Sequence, residues 1–332
     1  MQPLLSIIVP THNHTRTLPR LFDSLLIQKM QNFEVILVDD CSDIPCDDIV
    51  AAYSNKGLTI SPIPLATRHY QSARFVGMEA ARADIIGFAD ADDILWGTDA
   101  LKTHVELFTR TQPDILHFRA VHTDEYGNFT CYPHWLDPLA PELTGDNIFI
   151  RHTQAKNGHT LWNKYFSRRL CEEVLPIARQ HSIKRRAGDA HLLTLLLIHA
   201  RSYRASDLVG YGYHYFDKKF DPFAFDYAKA LSEMVEEIAP LLRQKGFAEE
   251  IIGQFADYLY SKLSVYVGRF CRNLLAGSDH TIPTDAVAGL LQIFSPEELI
   301  KSLILSNGYN AYKLTRMYHG MFSANPWEPS NT

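Results

Sequence analysis

The amino-acid sequence predicts an α/β fold, in which a mostly parallel sheet is flanked by helices and followed by a helical C-terminal region. Short apolar runs alternate with segments of helical spacing over residues 1–220, as in sheets built from strand–helix–strand units. Several of these runs end in clusters of polar residues. From Phe223 onward the strand signal gives way to helical spacing. We therefore expect an α/β domain over residues 1–220 and a helical region over residues 221–332.

The first unit is a strand, a helix and a second strand. Residues 4–9 form an apolar run that ends at Pro10, which is typical of a strand buried on both faces of a parallel sheet. Leucines recur at helical spacing over residues 18–26, and Pro19 stands near the start, where a missing amide hydrogen costs little. The apolar, β-branched run over residues 33–38 completes the unit.

The pattern then repeats. Residues 58–64 predict a weaker strand, residues 71–83 a helix, and residues 84–89 a strand that ends at Asp90. The residues expected on the inner face of this helix are Ala73, Val76, Gly77 and Ala80.

The middle of the chain is less regular. We expect a helix over residues 101–109, a strand over residues 115–121 and a hairpin turn over residues 126–128. Residues 132–160 lack a period and are rich in Pro, Gly, His and Asn, which predicts a long surface loop over a site. A regular pattern of apolar residues resumes over residues 161–175.

The later part of the chain is helical. The run from His191 to Ile198 predicts an apolar helix, and the region after residue 223 repeats apolar residues at helical spacing. The clearest stripes in that region are Leu231, Met234, Val235, Ile238 and Leu241, and Phe255, Leu259, Leu263 and Val267.

Composition and charge restrict the functional classes. With 332 residues, 46% of them apolar and 21% charged, the chain has the profile of an enzyme-sized globular protein. A net charge of −6 gives the surface no overall attraction for nucleic acid or anionic lipid. We therefore expect no nucleic-acid partner and a local site for any polyanion.

The sequence indicates an unexported, cytoplasmic protein. Its first residues carry neither a basic region nor a small-residue cleavage site. The longest apolar stretch, residues 192–200, is far shorter than the roughly 20 residues that span a bilayer. Any membrane contact is expected to be peripheral, at the inner face. Five cysteines without zinc-site spacing favour reduced thiols.

Polar residues follow three predicted strands, where ligands bind in parallel sheets. These segments are Pro10-Thr11-His12-Asn13, Asp39-Asp40 and Asp90-Ala91-Asp92-Asp93. Alternate carboxylates such as Asp90 and Asp92 can point into one cleft and hold Mg²⁺ or Mn²⁺, with diphosphate oxygens completing the coordination shell. The alternative interpretation is that these acids are helix caps or solvated turns.

Other phosphate-binding frameworks fit less well. Haloacid-dehalogenase-like phosphatases and response-regulator receivers carry their paired acids after the first strand, whereas here the acids end later strands. No Gly-x-Gly-x-x-Gly motif and no phosphate-binding lysine loop follows a predicted strand. Dinucleotide-binding and P-loop sites would therefore lack their phosphate cradle.

Taken together, the motifs resemble the family 2 glycosyltransferases of GT-A fold. The four motifs that carry the resemblance are residues 6–13, 38–43, 72–74 and 88–93. Trp162-Asn163-Lys164 looks like the acceptor-side segment of that family, Gly188-Asp189 stands where the family usually has Glu-Asp, and Tyr211 to Phe216 resembles its Tyr-rich strand. Cys41 replaces a common Gly. The resemblance spans residues 4–220.

The resemblance implies a set of site residues. Thr11, Asp40 and Arg74 would contact the nucleotide, with Asp40 toward the base, while Asp90 would touch ribose or metal and Asp92 would ligate Mn²⁺ or Mg²⁺. The full nucleotide-sugar set is Pro10, Thr11, His12, Asn13, Asp40, Arg74, Asp90 and Ala91. His214 is a further candidate metal ligand, and Trp162, Asn163 and Lys164 are candidate acceptor contacts.

The implied reaction is inverting transfer of a sugar from a nucleotide-sugar, most often a UDP-sugar, to an acceptor hydroxyl. Asp189 is our candidate base, since one carboxylate suffices for an in-line displacement. Each assignment has a structural alternative: Asp189 as a helix cap, Arg74 as a surface charge, His214 as a hydrogen-bonded structural histidine and Trp162 as a core residue.

The expected role is synthesis of surface polysaccharide, capsule or lipopolysaccharide, with a glycan or lipid-linked glycan as acceptor. Two other functions stay open. One is a catalytically inactive binding or assembly protein that keeps the fold, and the other is a nucleotidyltransferase, whose acidic metal site would look alike. The sequence leaves the donor sugar, the linkage and the oligomeric state open.

Overall fold

The protein is described here by a computed structural model that covers residues 2–66, 72–180, 188–215 and 224–275. It divides into two compact units, Met1–Asp217 and Lys218–Thr332. The boundary predicted at residue 220 lies outside the described residues, as does the chain after residue 275.

The first unit alternates strands and helices. In chain order its elements are β1 (Leu5–Thr11), α1 (Leu18–Leu26), β2 (Phe33–Asp39), α2 (Asp47–Asn55), β3 (Ile60–Pro64), α3 (Ser72–Ala80), β4 (Ile85–Phe88), β5 (Ile94–Leu95), α4 (Ala100–Thr111), β6 (Ile115–Thr123), β7 (Phe129–Cys131), β8 (Glu142–Thr144), α5 (Asn147–Ala155), β9 (Lys164–Ser167), α6 (Arg168–Gln180), α7 (Gly188–His199) and β10 (Ser202–His214).

The strands form one sheet. Within the described residues it has ten strands, in the order β3-β2-β1-β4-β9-β6-β10-β5, with β7 beside β6 and β8 beside β10. Strands β3, β2, β1 and β4 are parallel to their neighbours, and so are β6 and β10. The remaining strands are short and antiparallel to their neighbours. Among them, β9 joins β4 to β6. The predicted fold class is confirmed, and the antiparallel strands are an addition that runs of two to four residues did not reveal.

The central strands are buried on both faces, as their apolar runs predicted. Leu5, Ile7 and Val9 of β1 belong to the core cluster that includes the inner face of α1. Ile8 points to the other face of the sheet, where α3 lies. Full burial of each such side chain contributes about 1.5–3 kcal/mol to folding.

Helix α3 approaches the sheet closely at Gly77. A Cβ added to Gly77 would lie 2.3 Å from Cγ2 of Ile8. The predicted inner face is partly confirmed, because Ala73 and Gly77 are buried, whereas Val76 and Ala80 are only half-buried. Phe75 and Met78 are buried instead, since α6 also packs against α3. The predicted start of this helix at Gln71 lies outside the described residues.

The prediction of a long surface loop over residues 132–160 is wrong, because the segment forms regular elements. That segment contains a 3₁₀ turn (His134–Leu136), β8 and α5. The buried residues of α5 are Ile148, Phe149, His152 and Thr153, a helical spacing that the surrounding Pro, Gly and Asn residues concealed. Helix α2 was not predicted either, because Tyr53 is its single buried residue.

Two elements complete the sheet domain. In α7 every residue except Asp189 and His199 is buried, as expected of a helix that is apolar all round. Strand β10 runs for 13 residues and starts well before the predicted Tyr211. Phe216, the predicted end of that strand, lies outside the described residues.

The second unit contains α8 (Ala224–Gln244) and α9 (Glu249–Leu275). The predicted stripes are confirmed in part, since Leu231, Met234, Ile238, Phe255 and Leu259 are buried. Val235 and Leu241 are half-buried, and the side chains of Leu263 and Val267 lie outside the described residues. Among the described helices, none combines the length and apolar character that crossing a membrane requires.

Candidate active site

The candidate site lies where strands β1, β2 and β4 end. The parallel register aligns Thr11 with Asp39 and Ile8 with Phe88, so the residues that follow these strands meet at one edge of the sheet. Asp40 donates its backbone N–H to the carbonyl of Thr11 at 2.8 Å. The buried hydroxyl of Thr11 makes no hydrogen bond to the described residues. Such a group at a strand end is suited to contact a ligand.

The loops after β1 and β2 are joined by hydrogen bonds. Nδ1 of His12 lies 2.9 Å from the carbonyl oxygen of Asp40. Asn13 donates its side-chain N–H to Asp43 at 2.8 Å, and its own side-chain oxygen accepts the backbone N–H of Asp43 at 2.8 Å. The backbone N–H of Asn13 donates to Oγ of Ser42 at 2.8 Å. These contacts fix the predicted nucleotide loop from both strands.

Two residues of these loops have a left-handed backbone. Asn13 and Cys41 both have φ of 60°, a region that non-glycine residues rarely adopt. This geometry explains why Gly is common at the position of Cys41 in the family that the sequence resembles. Sγ of Cys41 donates to the carbonyl oxygen of Leu65 at 3.0 Å, which anchors the substituted side chain.

The acidic cluster after β4 is organised by Tyr211. Its hydroxyl donates to Oδ2 of Asp93 at 2.8 Å and accepts the backbone N–H of Asp90 at 2.9 Å. Oδ1 of Asp93 accepts the backbone N–H of His214 at 2.7 Å. Both oxygens of the buried Asp93 are therefore engaged by the protein. Asp90 and Asp92 are half-buried, so both remain partly accessible to a ligand.

The cluster carries excess negative charge. Burial in the cleft and then the charge of Asp189 raise the pKa of Asp90 to about 7, against the opposing effect of Arg74. Burial and repulsion from Asp90 and Asp92 raise the pKa of Asp93 well above its ordinary value, despite the hydrogen bonds that its carboxylate accepts. Neighbouring carboxylates that resist joint ionisation favour the approach of a cation.

Arg74 connects this cluster to Asp189. Its guanidinium lies 2.7 Å from Oδ1 of Asp189 and 3.8 Å from Oδ1 of Asp90. Arg74 comes from α3 and Asp189 from the first turn of α7, where the helix dipole favours a negative charge. Both side chains are partly open, with 16% and 33% of their surfaces exposed. The structure thus brings the candidate base, a candidate nucleotide contact and the acidic cluster together.

Trp162 lies in an aromatic stack beside the site. Its ring centroid is 4.6 Å from that of Tyr211 and 5.1 Å from that of Tyr213, with interplanar angles of 15° and 10°. Only 4% of Trp162 is exposed. Its packing agrees with the core interpretation, and contact with an acceptor stays a prediction.

Asn163 and Lys164 are buried in a polar network. Asn163 donates to His117 Nε2 at 2.9 Å, and its side-chain oxygen accepts from Thr160 and Lys164, each at 2.7 Å. Nζ of Lys164 also donates to the carbonyl oxygen of Thr160 at 2.8 Å. Burial holds the pKa of Lys164 well below its ordinary value. Both side chains face the interior, so their predicted role at the acceptor is untested.

A family model described as Glycosyl transferase family 2 matches residues 6–175, just over half of the chain. The chain belongs to glycosyltransferase family 2. The match covers the strand-end motifs, Arg74 and Trp162. Asp189 and His214 lie beyond it, so their assignment depends on the geometry described above.

Several curated proteins are similar to parts of this glycosyltransferase. The uncharacterized glycosyltransferase EpsJ of Bacillus subtilis is 40% identical over 93 residues, which is 28% of this chain and 27% of EpsJ. The poly(ribitol-phosphate) beta-N-acetylglucosaminyltransferase TarS of Staphylococcus aureus is 32% identical over 114 residues, 33% of this chain and 20% of TarS. The amylovoran biosynthesis glycosyltransferase AmsB of Erwinia amylovora is 31% identical over 110 residues, 32% of this chain and 36% of AmsB. The similarity thus spans between a fifth and just over a third of these relatives.

Solved structures share the fold over nearly the whole chain. Residues 1–349 of S. aureus TarS match with a TM-score of 0.60 and 18% identity, over 95% of this chain and 92% of that one. The mannosyltransferase PcManGT of Pyrobaculum calidifontis, in complex with GDP-Man and Mn²⁺, matches with a TM-score of 0.54 and 15% identity, over 98% and 89% of the two chains. At this identity the likeness concerns the fold.

The donor atoms of this family 2 enzyme fit a divalent metal ion. Asp90 and Asp92 supply hard oxygen ligands, which Mn²⁺ and Mg²⁺ prefer, and the raised pKa of Asp90 reflects charge that a cation would neutralise. In the described part of the chain no three His, Cys, Asp or Glu side chains are arranged to hold a metal on their own. Among these residues, Asp90 and Asp92 are the carboxylates that would hold the ion.

His214 lies at the edge of this site. Its backbone N–H is bonded to Asp93, and its ring feels the charges of Arg20 and Asp92. Burial, with Arg20, lowers the pKa of His214, so the ring is neutral near pH 7. Neutral imidazole is the form that can bind a metal, and the role of His214 as a ligand stays a prediction.

Two residues that organise the candidate site were not found by sequence reasoning. Tyr211 was noted only as part of a Tyr-rich strand, and its hydroxyl links Asp93 to Asp90. Arg20 of α1 donates to the backbone carbonyl of Asp92, and to that of Glu125 at 2.6 Å, so it fixes the acidic loop. An arginine within an amphipathic helix gives no sequence signal of such a role.

Proposed function

We propose that this protein is an inverting, metal-dependent glycosyltransferase that moves a sugar from a UDP-sugar to an acceptor hydroxyl. The observation that carries the proposal is the meeting of Arg74, Asp189 and Asp90 at the carboxyl edge of the sheet. One cation, one candidate base and one candidate metal ligand come from three separate elements. Their convergence beside Thr11 and Asp40 supports a site for a nucleotide diphosphate.

Each residue has a chemical role in this proposal. Thr11 and Asp40 contact the nucleoside, with Asp40 toward the base, and His12 and Asn13 hold the loop that carries this contact. Arg74 binds the diphosphate, since guanidinium pairs well with phosphate oxygens. A Mn²⁺ or Mg²⁺ ion at Asp92 and Asp90 would offset the negative charge that grows on the leaving diphosphate.

Asp189 is proposed as the base that accepts the proton of the acceptor hydroxyl. Diphosphate binding at Arg74 competes for the guanidinium that now pairs with Asp189, which frees the Asp189 carboxylate for that proton. The acceptor oxygen then attacks the anomeric carbon opposite the leaving group, and the configuration inverts. General base catalysis of this kind contributes about 10²–10⁴-fold to the rate.

The relatives suggest the first donor to test. The TarS structures have been solved with UDP and with UDP-GlcNAc, and AmsB is named for the biosynthesis of a polysaccharide. We propose a UDP-linked hexose or N-acetylhexosamine as donor and a surface glycan or lipid-linked glycan as acceptor. We place the reaction on the cytoplasmic side of the membrane, where nucleotide-sugars are made.

The test is release of UDP from a panel of UDP-sugars, with UDP-GlcNAc first, in the presence and absence of Mn²⁺. We expect metal-dependent release that Asp92→Asn and Asp189→Asn each lower at least about a hundredfold. Unchanged release in both variants would refute the mechanism. Calorimetry with UDP and Mn²⁺ is the second readout, because absence of binding would favour a non-catalytic protein. Formation of pyrophosphate from a nucleoside triphosphate and a sugar phosphate would favour a nucleotidyltransferase.

A further inference from the structure

Six aromatic side chains form a continuous series of ring contacts that leads away from the acidic cluster. We call this series the aromatic track. Its members are Tyr211, Trp162, Tyr213, His122, Tyr215 and Trp135.

The track is built on one face of the sheet. Tyr211, Tyr213 and Tyr215 alternate along and just beyond β10, and His122 of β6 is the register partner of Tyr213. His122 stacks on Tyr215 with ring centroids 4.7 Å apart and an interplanar angle of 5°. It also lies 5.6 Å from Tyr213 and 6.3 Å from Trp135.

The track changes from buried to exposed along its length. At the inner end Tyr211, which is bonded to Asp93 and Asp90, is 1% exposed. At the outer end Tyr215 is 42% exposed and Trp135 is 44% exposed. Exposed aromatic groups gathered in this way mark a binding surface.

The outermost ring has a fixed position. A Cβ added to Gly158 would lie 2.6 Å from the indole of Trp135, so the indole lies directly against the Gly158 backbone. The backbone N–H of Gly158 also donates to the carbonyl oxygen of Trp135 at 2.9 Å. A ring that is held before the ligand arrives loses little conformational entropy on binding.

The charges of the segment that carries His122 and Trp135 indicate which class of ligand this end of the track accepts. The segment from Arg119 to Asp137 carries one arginine against three acidic residues, Asp124, Glu125 and Asp137. An anionic lipid surface attracts clusters of Lys and Arg, which this segment lacks. Aromatic faces that alternate with hydroxyl and imidazole groups suit the C–H faces and hydroxyls of sugar rings, because each such side chain pairs an apolar body with a polar tip.

We propose that the exposed end of the aromatic track, Trp135 and Tyr215, binds a neutral oligosaccharide whose acceptor end is directed towards the active site, while the buried and half-buried rings from Tyr211 to His122 hold the exposed rings in place. This inference rests on the proposed function, because it makes the track the acceptor subsite of the transferase. It moves the main acceptor contacts from the buried Asn163 and Lys164 to the exposed rings of Trp135 and Tyr215. The acceptor would then be an extended glycan chain and not a single sugar.

The test measures binding of neutral sugars to the full-length protein by calorimetry. The probes are chitotetraose, cellotetraose and maltotetraose, each beside its monosaccharide, with phosphatidylglycerol vesicles as a separate arm. We expect at least one tetrasaccharide to bind at least tenfold more tightly than its monosaccharide. Trp135→Ala and Tyr215→Ala should each weaken that binding about tenfold, and Trp135→Phe should restore most of it.

Tyr126→Ala is the matched control, because Tyr126 is 78% exposed and lies outside the track. It should leave sugar binding unchanged, and all four variants should bind UDP as the parent protein does. The proposal is overturned if no tetrasaccharide binds more tightly than its monosaccharide, if Trp135→Ala has no effect, or if only the vesicles bind. Failure of UDP-sugar turnover with intact, track-dependent sugar binding would refute the proposed function and the track's role as its acceptor subsite, and would leave only the sugar-binding surface established.

Discussion

Arg74 and Asp189 form an ion pair at 2.7 Å, although one side chain comes from α3 and the other from α7. The same guanidinium lies 3.8 Å from Asp90, so one cation is shared by two carboxylates. A diphosphate that binds at Arg74 must compete with Asp189 for the guanidinium. If Arg74 binds the diphosphate as proposed, donor binding and exposure of the candidate base are linked through a single side chain.

Substitution of these two residues should separate binding from chemistry. Arg74→Ala should weaken UDP binding at least about tenfold, because a charge-assisted contact to the diphosphate is lost. Asp189→Asn should lower kcat by about 10²–10⁴-fold while UDP binds no more weakly, because the arginine is no longer held by a charge. Calorimetry with UDP and Mn²⁺ and steady-state UDP release measure the two effects.

The control for this pair is Arg179→Ala. Arg179 lies on α6 and is paired at 2.6 Å with the exposed Glu79, away from the cleft. Its loss should change neither UDP affinity nor kcat. Weaker UDP binding in Asp189→Asn than in Arg74→Ala would contradict the roles assigned to them.

The sequence predicted those parts of the fold where burial leaves a clear pattern. Strands β1 and β2 are buried on both faces, and their continuous apolar runs located them to within a residue or two. Helix α2 buries only Tyr53 and therefore shows almost no period. Helix α5 has a helical spacing of buried residues, but polar segments on both sides made it look like a loop.

The sequence predicted those residues of the candidate site that directly follow a strand. Asp40 and Asp90 follow apolar runs, and parallel strands must bring such ends to one edge of the sheet. The pairing of Arg74 with Asp189 depends on how two helices pack, which no local pattern encodes. Lys164 belongs to the segment predicted to contact the acceptor, but its side chain is buried in a polar network, which its charged residue type did not indicate.

Tyr211→Phe should remove the hydrogen bonds that order the acidic cluster while it keeps the buried ring in place. The phenol oxygen is the group that joins Asp93 to the backbone of Asp90, and both partners lose a hydrogen bond when it is removed. We expect a loss of about 1–3 kcal/mol in the free energy of unfolding. We also expect weaker binding of UDP in the presence of Mn²⁺, measured by calorimetry.

Tyr53→Phe is the matched control for that variant. The Tyr53 hydroxyl also has two hydrogen-bond partners outside the site, since its single proton is shared between the carbonyl oxygen of Pro19 at 3.0 Å and Oδ1 of Asp23 at 2.8 Å. Tyr53→Phe should lower the free energy of unfolding by a similar amount and leave UDP binding unchanged. Equal effects of the two variants on UDP affinity would show that Tyr211 acts only through stability.

Gly77→Ala should displace helix α3 from the sheet and with it the Arg74 side chain. The added methyl would meet Ile8 of β1 at 2.3 Å, so α3, which carries Arg74, must move away from the sheet. Overpacking of this kind costs about 1–3 kcal/mol in the free energy of unfolding. We expect a lower midpoint of thermal unfolding together with weaker UDP binding, because the guanidinium moves with its helix.

Gly253→Ala provides the contrast within a helix. A Cβ at Gly253 of α9 meets nothing within 4 Å, so the substitution should stabilise the protein by about 0.5–1 kcal/mol and leave UDP binding unchanged. If Gly77→Ala were as stable as the parent protein, the close approach of α3 to β1 would be wrong.

Glu34 should make the stability of the sheet domain depend on acid pH. Its carboxylate accepts from Ser6 at 2.7 Å and from the backbone and Nε of Arg82, each at 2.8 Å. Burial alone would raise the pKa of Glu34, but the hydrogen bonds from Ser6 and Arg82 outweigh it, and the pKa is lowered. The folded state therefore binds this proton less readily than the unfolded state does.

The stabilisation from Glu34 is complete above the unfolded pKa of about 4.3 and is lost as the pH falls through the lower folded value. Glu34→Gln should lower the midpoint of thermal unfolding at pH 7 and flatten its decline between about pH 5 and pH 3. The exposed Glu106→Gln is the control and should keep the parent profile. A Glu34→Gln protein whose midpoint fell with acid as steeply as that of the parent would show that the carboxylate titrates alike in both states, because only a pKa that differs between them can produce the slope.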